Sequence, residues 1–241
     1  MKRQLDNDEQ NQIRQGSLGH LLDLPENKFA SQLMRHLVLR QTKEGNDDEL
    51  TFNFGGQKCN FGIKEFALIT GLNCGRPPRK YKHKSKKNYT RKMLVSLFKQ
   101  NAGSNSSDRV KMGNLYLLEN FLLPKQEATN IDMTHVEMLD EWEEFNNYPW
   151  GRTCYELTIN SVKKALDNIN VQKMTFNGLP HALVVWAYET LPLLQKLGYV
   201  TKVNSVICPR MLRWSSVSQP AWEELEEKIF SNSQVSKEKK Q

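Results

Sequence analysis

The 241-residue chain has no apolar run near the roughly 20 residues needed to cross a bilayer. Its first 16 residues are polar and carry acids, so they lack the apolar core of a secretory signal. Cysteine and histidine are scarce: four cysteines and five histidines show neither Cys-x-x-Cys nor His-x-x-x-His spacing. We therefore expect an intracellular, soluble protein with unpaired, buried thiols, and we expect no metal site, no cofactor and no membrane partner.

Acidic residues are absent from 76–99, although this stretch carries ten basic residues. The formal net charge of the whole chain is +7, so the other residues together carry a net charge of −3. The positive charge is therefore local. This distribution indicates a mildly acidic body with one cationic segment, where polyanions, acidic partners or import receptors are expected to bind.

Within this segment, Tyr81 and His83 alternate with lysines, a pattern that adds base stacking to phosphate contacts on a nucleic acid. The same composition suits a nuclear import signal, and a solvated basic loop without a partner is the third interpretation. We predict that 76–88 forms a mobile loop. The predicted nucleic-acid contacts are Arg76, Arg79, Lys80, Lys82, Lys84, Lys86, Lys87, Arg91 and Lys92.

Apolar periodicity predicts a mainly α-helical fold with one small β-hairpin at about 50–61, where Gly55 and Gly56 separate two alternating runs. A helix over 17–40, broken near Pro25, is expected to bury Phe29, Leu33 and Leu37 and to carry His36 and Arg40 at its edge. A short helix is expected to end at Gly71 in a left-handed C-cap. The further predicted helices span 89–100, 109–123, 133–146, 153–168 and 179–197, the last being central and kinked at Pro192.

The domain organisation follows from this pattern. Residues 1–16 are expected to be disordered, and 17–214 to form one helical domain. Residues 215–241 are expected to form an amphipathic acidic helix followed by a disordered tail, with Trp222, Leu225 and Ile229 on its apolar face.

Candidate catalytic groups are few. Cys74 lies in Asn-Cys-Gly, which superficially resembles a peptidase nucleophile turn, but the base and orienting residues such a thiol needs are missing. Cys154 lies near a predicted helix start, and we interpret it as a small buried residue.

The acids Glu137, Asp140, Glu141 and Glu144 would share one helical face, which favours a solvated surface or a basic partner over a metal site. His135 and His181 are interpreted as packing or capping residues.

Four sequence blocks appear in order along the chain: FGIKEFALITGLNCG at 61–75, YPWGRTCYELT at 148–158, GLPHALVVWAYE at 178–189 and PRMLRW at 209–214. Together they resemble the plant domain of unknown function DUF1985. The resemblance implies a mostly helical plant domain, often found upstream of a SUMO-protease-like cysteine peptidase in transposon-derived proteins. It implies no activity for any particular residue, and we expect no peptidase segment within this sequence.

These observations predict a non-enzymatic interaction or accessory module, located in the nucleus, with weak and non-specific affinity for nucleic acid through 76–99. A cytoplasmic location is the alternative, and an unidentified protein partner and a nuclear import receptor are further expected contacts. Two other functions stay open: a sequence-specific DNA- or RNA-binding protein, and an accessory part of a SUMO-specific cysteine peptidase.

Overall fold

The computed structural model of the chain describes residues 1–28, 30–43, 46–78, 88–100, 105–167, 174–203, 208–216 and 218–231. These residues form a mainly α-helical structure with small antiparallel sheets, which confirms the predicted fold class. Phe29, most of the predicted 76–88 loop and the predicted C-terminal tail from residue 232 onwards lie outside the described residues.

Eleven α-helices occur in the described parts of the chain. They are α1 (Asn7–Arg14), α2 (Ser31–Arg40), α3 (Ile63–Thr70), α4 (Arg91–Lys99), α5 (Ser106–Tyr116), α6 (Met133–Met138), α7 (Trp142–Asn147), α8 (Trp150–Asp167), α9 (Pro180–Thr190), α10 (Leu193–Lys196) and α11 (Trp222–Leu225). Two π-helical segments, Leu117–Leu122 and Glu226–Phe230, continue α5 and α11 directly.

Three of the predicted long helices are interrupted or shortened in the structure. The helix expected over 133–146 is split into α6 and α7 by a turn, so the prediction of one continuous helix is wrong there. The helix expected over 179–197 with a kink at Pro192 is instead divided there into α9 and α10, because proline lacks the amide hydrogen that continues a helix. The helix expected over 17–40 is reduced to the 3₁₀ turn Gly19–Asp23 and to α2.

The predicted hairpin is confirmed as β2 (Leu50–Phe54) and β3 (Gln57–Phe61), which pair antiparallel with Phe52 opposite Cys59. A short strand that the sequence analysis misses, β1 (Gln41–Thr42), adds to the free edge of β2. A second, two-stranded sheet pairs β4 (Thr201–Lys202) with β5 (Trp214–Ser215).

The chain divides into two compact units that alternate along the sequence. The first unit contains Met1–Asp23 and Leu72–Cys154, and the second contains Leu24–Gly71 and Tyr155–Gln241. The sequence analysis treats 17–214 as one domain. Because each unit is assembled from two separate stretches, no single linker in the sequence marks the division.

In the first unit, α1 packs against α5, and Ile13 of α1 has no exposed surface. The helix is capped at its N-terminus, where the Asp6 side chain accepts from the Glu9 amide and the Glu9 carboxylate accepts from the Asp6 amide. The buried Glu9 carboxylate also pairs with Arg109 at 2.9 Å. The prediction of disorder over 1–16 is therefore wrong for this helix, because a buried apolar contact and an ion pair hold a segment that is polar in sequence.

In the second unit, an aromatic core joins the hairpin to α9. Trp186 of α9 lies with its ring centroid 5.1 Å from that of Phe52, 6.3 Å from Phe54 and 5.7 Å from Phe61. All four side chains are buried, as is every residue of α9 from Ala182 to Tyr188. The predicted central position of this helix is confirmed within its unit.

Helix α3 ends at Gly71, as predicted, with the left-handed φ of 70° that favours glycine. A Cβ at this position would lie 2.7 Å from the Cβ of Pro209. Glycine is therefore required both by its backbone conformation and by the close packing of the 209–214 block against the end of α3.

Candidate functional site

Two of the nine predicted nucleic-acid contacts, Arg76 and Lys92, are exposed to solvent in the first unit. Lys99, at the end of the cationic segment, is also exposed. Six of the predicted contacts lie outside the described residues: Arg79, Lys80, Lys82, Lys84, Lys86 and Lys87.

The structure contradicts the prediction that Arg91 contacts nucleic acid, because only 3% of the surface of Arg91 is exposed. Its guanidinium points into the first unit, where Nε donates to the Glu119 carbonyl at 3.1 Å and Nη1 donates to the Asn130 carbonyl at 3.2 Å. Nη2 forms an ion pair with the Glu119 carboxylate. Since these groups use the donors of the guanidinium inside the protein, Arg91 cannot contact a phosphate without leaving its site.

Glu119 is the centre of this buried network and has no exposed surface. Its carboxylate lies on the π-helical segment and accepts a hydrogen bond from Nδ1 of His135 at 2.6 Å and a longer one from the Asp132 amide at 3.4 Å. The His135 ring meets the Trp150 ring edge-on at 5.1 Å. A buried carboxylate requires such partners, so the network fixes α4, the π-helical segment and the start of α6 relative to one another.

No local pattern in the sequence reveals this network, because Arg91 precedes Glu119 by 28 positions and His135 follows it by 16. Because Arg91 lies in a run of basic residues, the sequence alone predicts that it is exposed to solvent. The structure shows that Arg91 has an internal partner instead.

An apolar groove with a volume of about 300 Å³ lies beside the network, between α4, α5 and α6. Its apolar lining is formed mainly by Leu94, Leu97, Met112, Leu115, Val136 and Leu139. Tyr89 and Ile131 line it as well, and the Ile131 amide donates to the Tyr89 carbonyl at 2.8 Å.

Charged side chains form the rim of this groove: Asp108, Lys111 and Asp140. Lys111 Nζ lies 2.6 Å from the Asp140 carboxylate. The turn between α6 and α7 separates Glu137 and Asp140 from Glu144, so the predicted single acidic helical face does not exist. Asp140, Glu141 and Glu144 are nevertheless exposed, as a solvated acidic surface requires.

The environment of Cys74 disfavours the thiolate form. Burial raises its pKa to about 11, although the positive charge of Arg152 acts in the opposite direction, so the thiol is protonated at neutral pH. Its Sγ lies 2.6 Å from the position that a Cβ of residue 151 would occupy, which explains the glycine there.

The same contact joins two of the sequence blocks. The Gly151 amide donates to the Asn73 carbonyl at 2.9 Å, and Arg152 Nε donates to the Gly75 carbonyl at 2.7 Å. The Asn-Cys-Gly turn and the start of α8 are therefore packed together as a structural junction of the first unit.

Cys154, on the first turns of α8, is fully buried, and its thiol donates to the Leu122 carbonyl at 3.0 Å. Its predicted role as a small buried residue is confirmed. None of the four cysteines forms a disulfide. Cys208 is exposed, and Cys59 and Cys74 are half-buried, so the expectation of full burial is wrong for these three.

His36 of the second unit, predicted at the edge of its helix, has no exposed surface. Its ring stacks on Trp222 with centroids 3.5 Å apart, and Nε2 donates to the Trp222 carbonyl at 3.1 Å. Nδ1 accepts from Arg40, which also pairs with Glu226 at 2.8 Å. Burial lowers the pKa of His36 to about 4, against a weaker opposing effect of the carbonyl hydrogen bond, so the ring is neutral near pH 7.

This contact holds α11 and the following π-helical segment against α2. Leu225 and Ile229 are buried beneath it, and Trp222 covers the His36 ring, so the predicted apolar face of the C-terminal helix is confirmed. Burial also lowers the pKa of His181 on α9 to about 4, in agreement with a packing role.

Within the described residues, no cluster of three or more His, Cys, Asp or Glu side chains is arranged to hold a metal ion. No helix described by the structure combines the length and apolar character needed to span a membrane.

Comparison with known protein families matches residues 38–161 to the family described as Domain of unknown function (DUF1985). No curated protein and no solved structure matches the chain. The first two sequence blocks, 61–75 and 148–158, lie inside the matched range, and the other two lie beyond it. Because the match covers just over half of the sequence and includes both of these blocks, the chain belongs to the DUF1985 family.

Proposed function

We propose that this chain is a non-enzymatic interaction module that binds polyanions, nucleic acid above all, through its cationic segment 76–99. The observation that carries the proposal is the charge distribution: ten basic residues and no acidic residue in this segment, against a net charge of −3 elsewhere. Exposed Arg76, Lys92 and Lys99 at the described ends of the segment support it. Because Arg91 is buried, the proposed binding surface excludes it.

The state of the thiols supports a binding role over a catalytic one. The raised pKa of Cys74 keeps its sulfur protonated, and Cys154 is enclosed among backbone and apolar groups. The role as an accessory module of transposon-derived plant proteins, and the nuclear location, are part of the same proposal and rest on the family resemblance and on the composition of 80–87.

The test compares two quadruple variants with the same change in net charge. The first replaces Lys82, Lys84, Lys86 and Lys87 with alanine. The control replaces four exposed lysines outside the segment: Lys28, Lys64, Lys125 and Lys196. Binding to several unrelated DNA duplexes is measured over a range of salt concentrations.

We expect the first variant to bind all duplexes more weakly and to lower the salt slope by at most about 3.6, since each lost phosphate contact removes about 0.9. The control should bind almost as the parent does. Equal losses in both variants would mean that only net charge matters, and would contradict the proposal. A loss confined to one duplex would instead favour sequence-specific recognition.

The same pair of variants tests the location. A fluorescent fusion of the first variant should move from the nucleus towards the cytoplasm, while the control fusion stays nuclear. If the first variant still accumulates in the nucleus, the proposal that residues 80–87 act as an import signal is wrong.

A further inference from the structure

The groove between α4, α5 and α6 presents apolar side chains to solvent. Leu97 lines it and is 38% exposed, whereas Met93, one turn earlier on α4, is 45% exposed and does not line it. Single exposed apolar residues such as Met93 are ordinary, but a contiguous apolar concavity with a polar rim is typical of binding sites. Its volume of about 300 Å³ is at the lower end of the range for such sites.

The walls of the groove are held by buried polar bonds. Arg91, at the start of α4, holds the carbonyl of Asn130, and the next residue, Ile131, lines the groove and bonds to Tyr89. The hydrogen bond from His135 to the Glu119 carboxylate fixes the position of α6, which carries His135. Walls fixed in this way lose little conformational freedom when a ligand binds, which favours affinity.

The charges around the groove select among ligands. Asp108 and Asp140 place two carboxylates on the rim against one ammonium, that of Lys111. Exposed Glu141, Glu143 and Glu144 follow Asp140 in the sequence without an intervening base. An acidic rim repels phosphate, so nucleic acid and anionic lipid are unfavourable occupants, whereas a ligand with positive charge beside an apolar body is favourable.

We propose that this groove docks a basic, amphipathic peptide segment of a partner protein. An apolar side chain, leucine or an aromatic residue, packs against Leu97, Met112 and Val136, and lysine or arginine residues beside it lie against Asp108 and Asp140. The binding mode is that of an amphipathic helix in an apolar groove. One wall of the groove, formed by Tyr89 and α4, lies within the segment 76–99, but none of the basic residues described in that segment lines the groove.

The probe is a short fluorescein-labelled helical peptide with leucines at i, i+3, i+4 and i+7 and lysines at most other positions. Two matched peptides replace the leucines with alanine or the lysines with glutamate. Fluorescence anisotropy with the full chain should show saturable binding of the lysine–leucine peptide alone. Binding of the glutamate peptide to the same site, or no saturable binding of the lysine–leucine peptide, would overturn the proposal.

Two variants of similar exposure on one helix locate the site. Leu97→Gln should weaken binding about tenfold, which corresponds to about 1.4 kcal/mol, because the apolar contact between Leu97 and the bound peptide is lost. Met93→Gln, the matched control, should bind as the parent does. Equal affinities in the two variants would contradict the assignment of the groove.

The rim is tested by Asp108→Asn combined with Asp140→Asn, which should weaken binding about threefold at low salt and leave it nearly unchanged at high salt. Sedimentation of the chain alone gives the other decisive outcome. Self-association that Leu97→Gln abolishes would place a second copy in the groove and overturn the partner proposal.

Discussion

Two buried carboxylates of the first unit are paired with arginine side chains, whereas a buried histidine of the second unit is hydrogen-bonded and stacked on aromatic rings. Glu119 and Glu9, each at most 1% exposed, pair with Arg91 and Arg109. In the second unit the fully buried His36 is neutral, and it lies between the rings of Trp222 and Phe230.

The difference predicts how each unit responds to change. An ion pair in the interior depends on both partners, because removal of one leaves the other buried without compensation. A stacked neutral ring depends on packing and on pH. The following predictions test these two modes, in order of the expected effect.

Trp186→Ala should produce the largest loss of stability, about 3–5 kcal/mol, because the ring packs against three phenylalanines and its removal leaves a cavity. The matched control is Trp142→Ala, since Trp142 is 38% exposed while Trp186 is 5% exposed. Denaturant unfolding followed by circular dichroism measures both variants. A Trp186→Ala protein as stable as the Trp142→Ala protein would refute the aromatic core of the second unit.

Glu119→Gln should cost about 3–5 kcal/mol at most, because it leaves the Arg91 guanidinium buried without a countercharge. Asp140→Asn breaks the exposed ion pair with Lys111 and should cost no more than about 1 kcal/mol. The double variant Glu119→Gln with Arg91→Met should recover part of the loss, since no charge is then left unpaired. If Glu119→Gln alone is as stable as Asp140→Asn, the buried ion pair between Arg91 and Glu119 contributes little to stability.

Acid should destabilise the second unit through His36. Its pKa rises from about 4 in the folded protein to about 6.5 on unfolding, so the unfolded chain binds protons that the folded chain does not. Stability is therefore complete above pH 6.5 and falls as the pH decreases towards 4, by about 2 kcal/mol between pH 7 and pH 5.

Unfolding free energies measured at both pH values check this for the parent and for His36→Gln. The variant should lose that share of the pH dependence, while the share due to His181, whose pKa is also about 4, remains. An unchanged pH dependence in His36→Gln would contradict the neutral buried ring.

Several features were predictable because their causes are local. The Gly55–Gly56 pair determines the hairpin, Gly71 supplies the left-handed C-cap, and Pro192 breaks the helix that follows Pro180, all through the conformations that these residues allow or forbid. The apolar run of α9 identified a buried helix for the same reason. The cationic segment is likewise a property of composition alone.

Other features depend on partners far along the chain, and no local pattern contains them. The α1 helix is polar in sequence, but it is ordered because it packs against α5, about 100 residues later, where Glu9 pairs with Arg109. His36 is buried because Trp222 covers it, 186 positions away.

The sequence by itself therefore determined the mainly helical class, the hairpin, the principal turns, the family and the position of the positive charge, since backbone preference and composition act over a few residues. Only the tertiary structure decided that Arg91 faces Glu119 instead of solvent, that α6 and α7 are separate, and that an apolar groove lies beside an acidic rim. Burial and pairing are properties of groups brought together by folding, and their free energies depend on neighbours that the linear order does not specify.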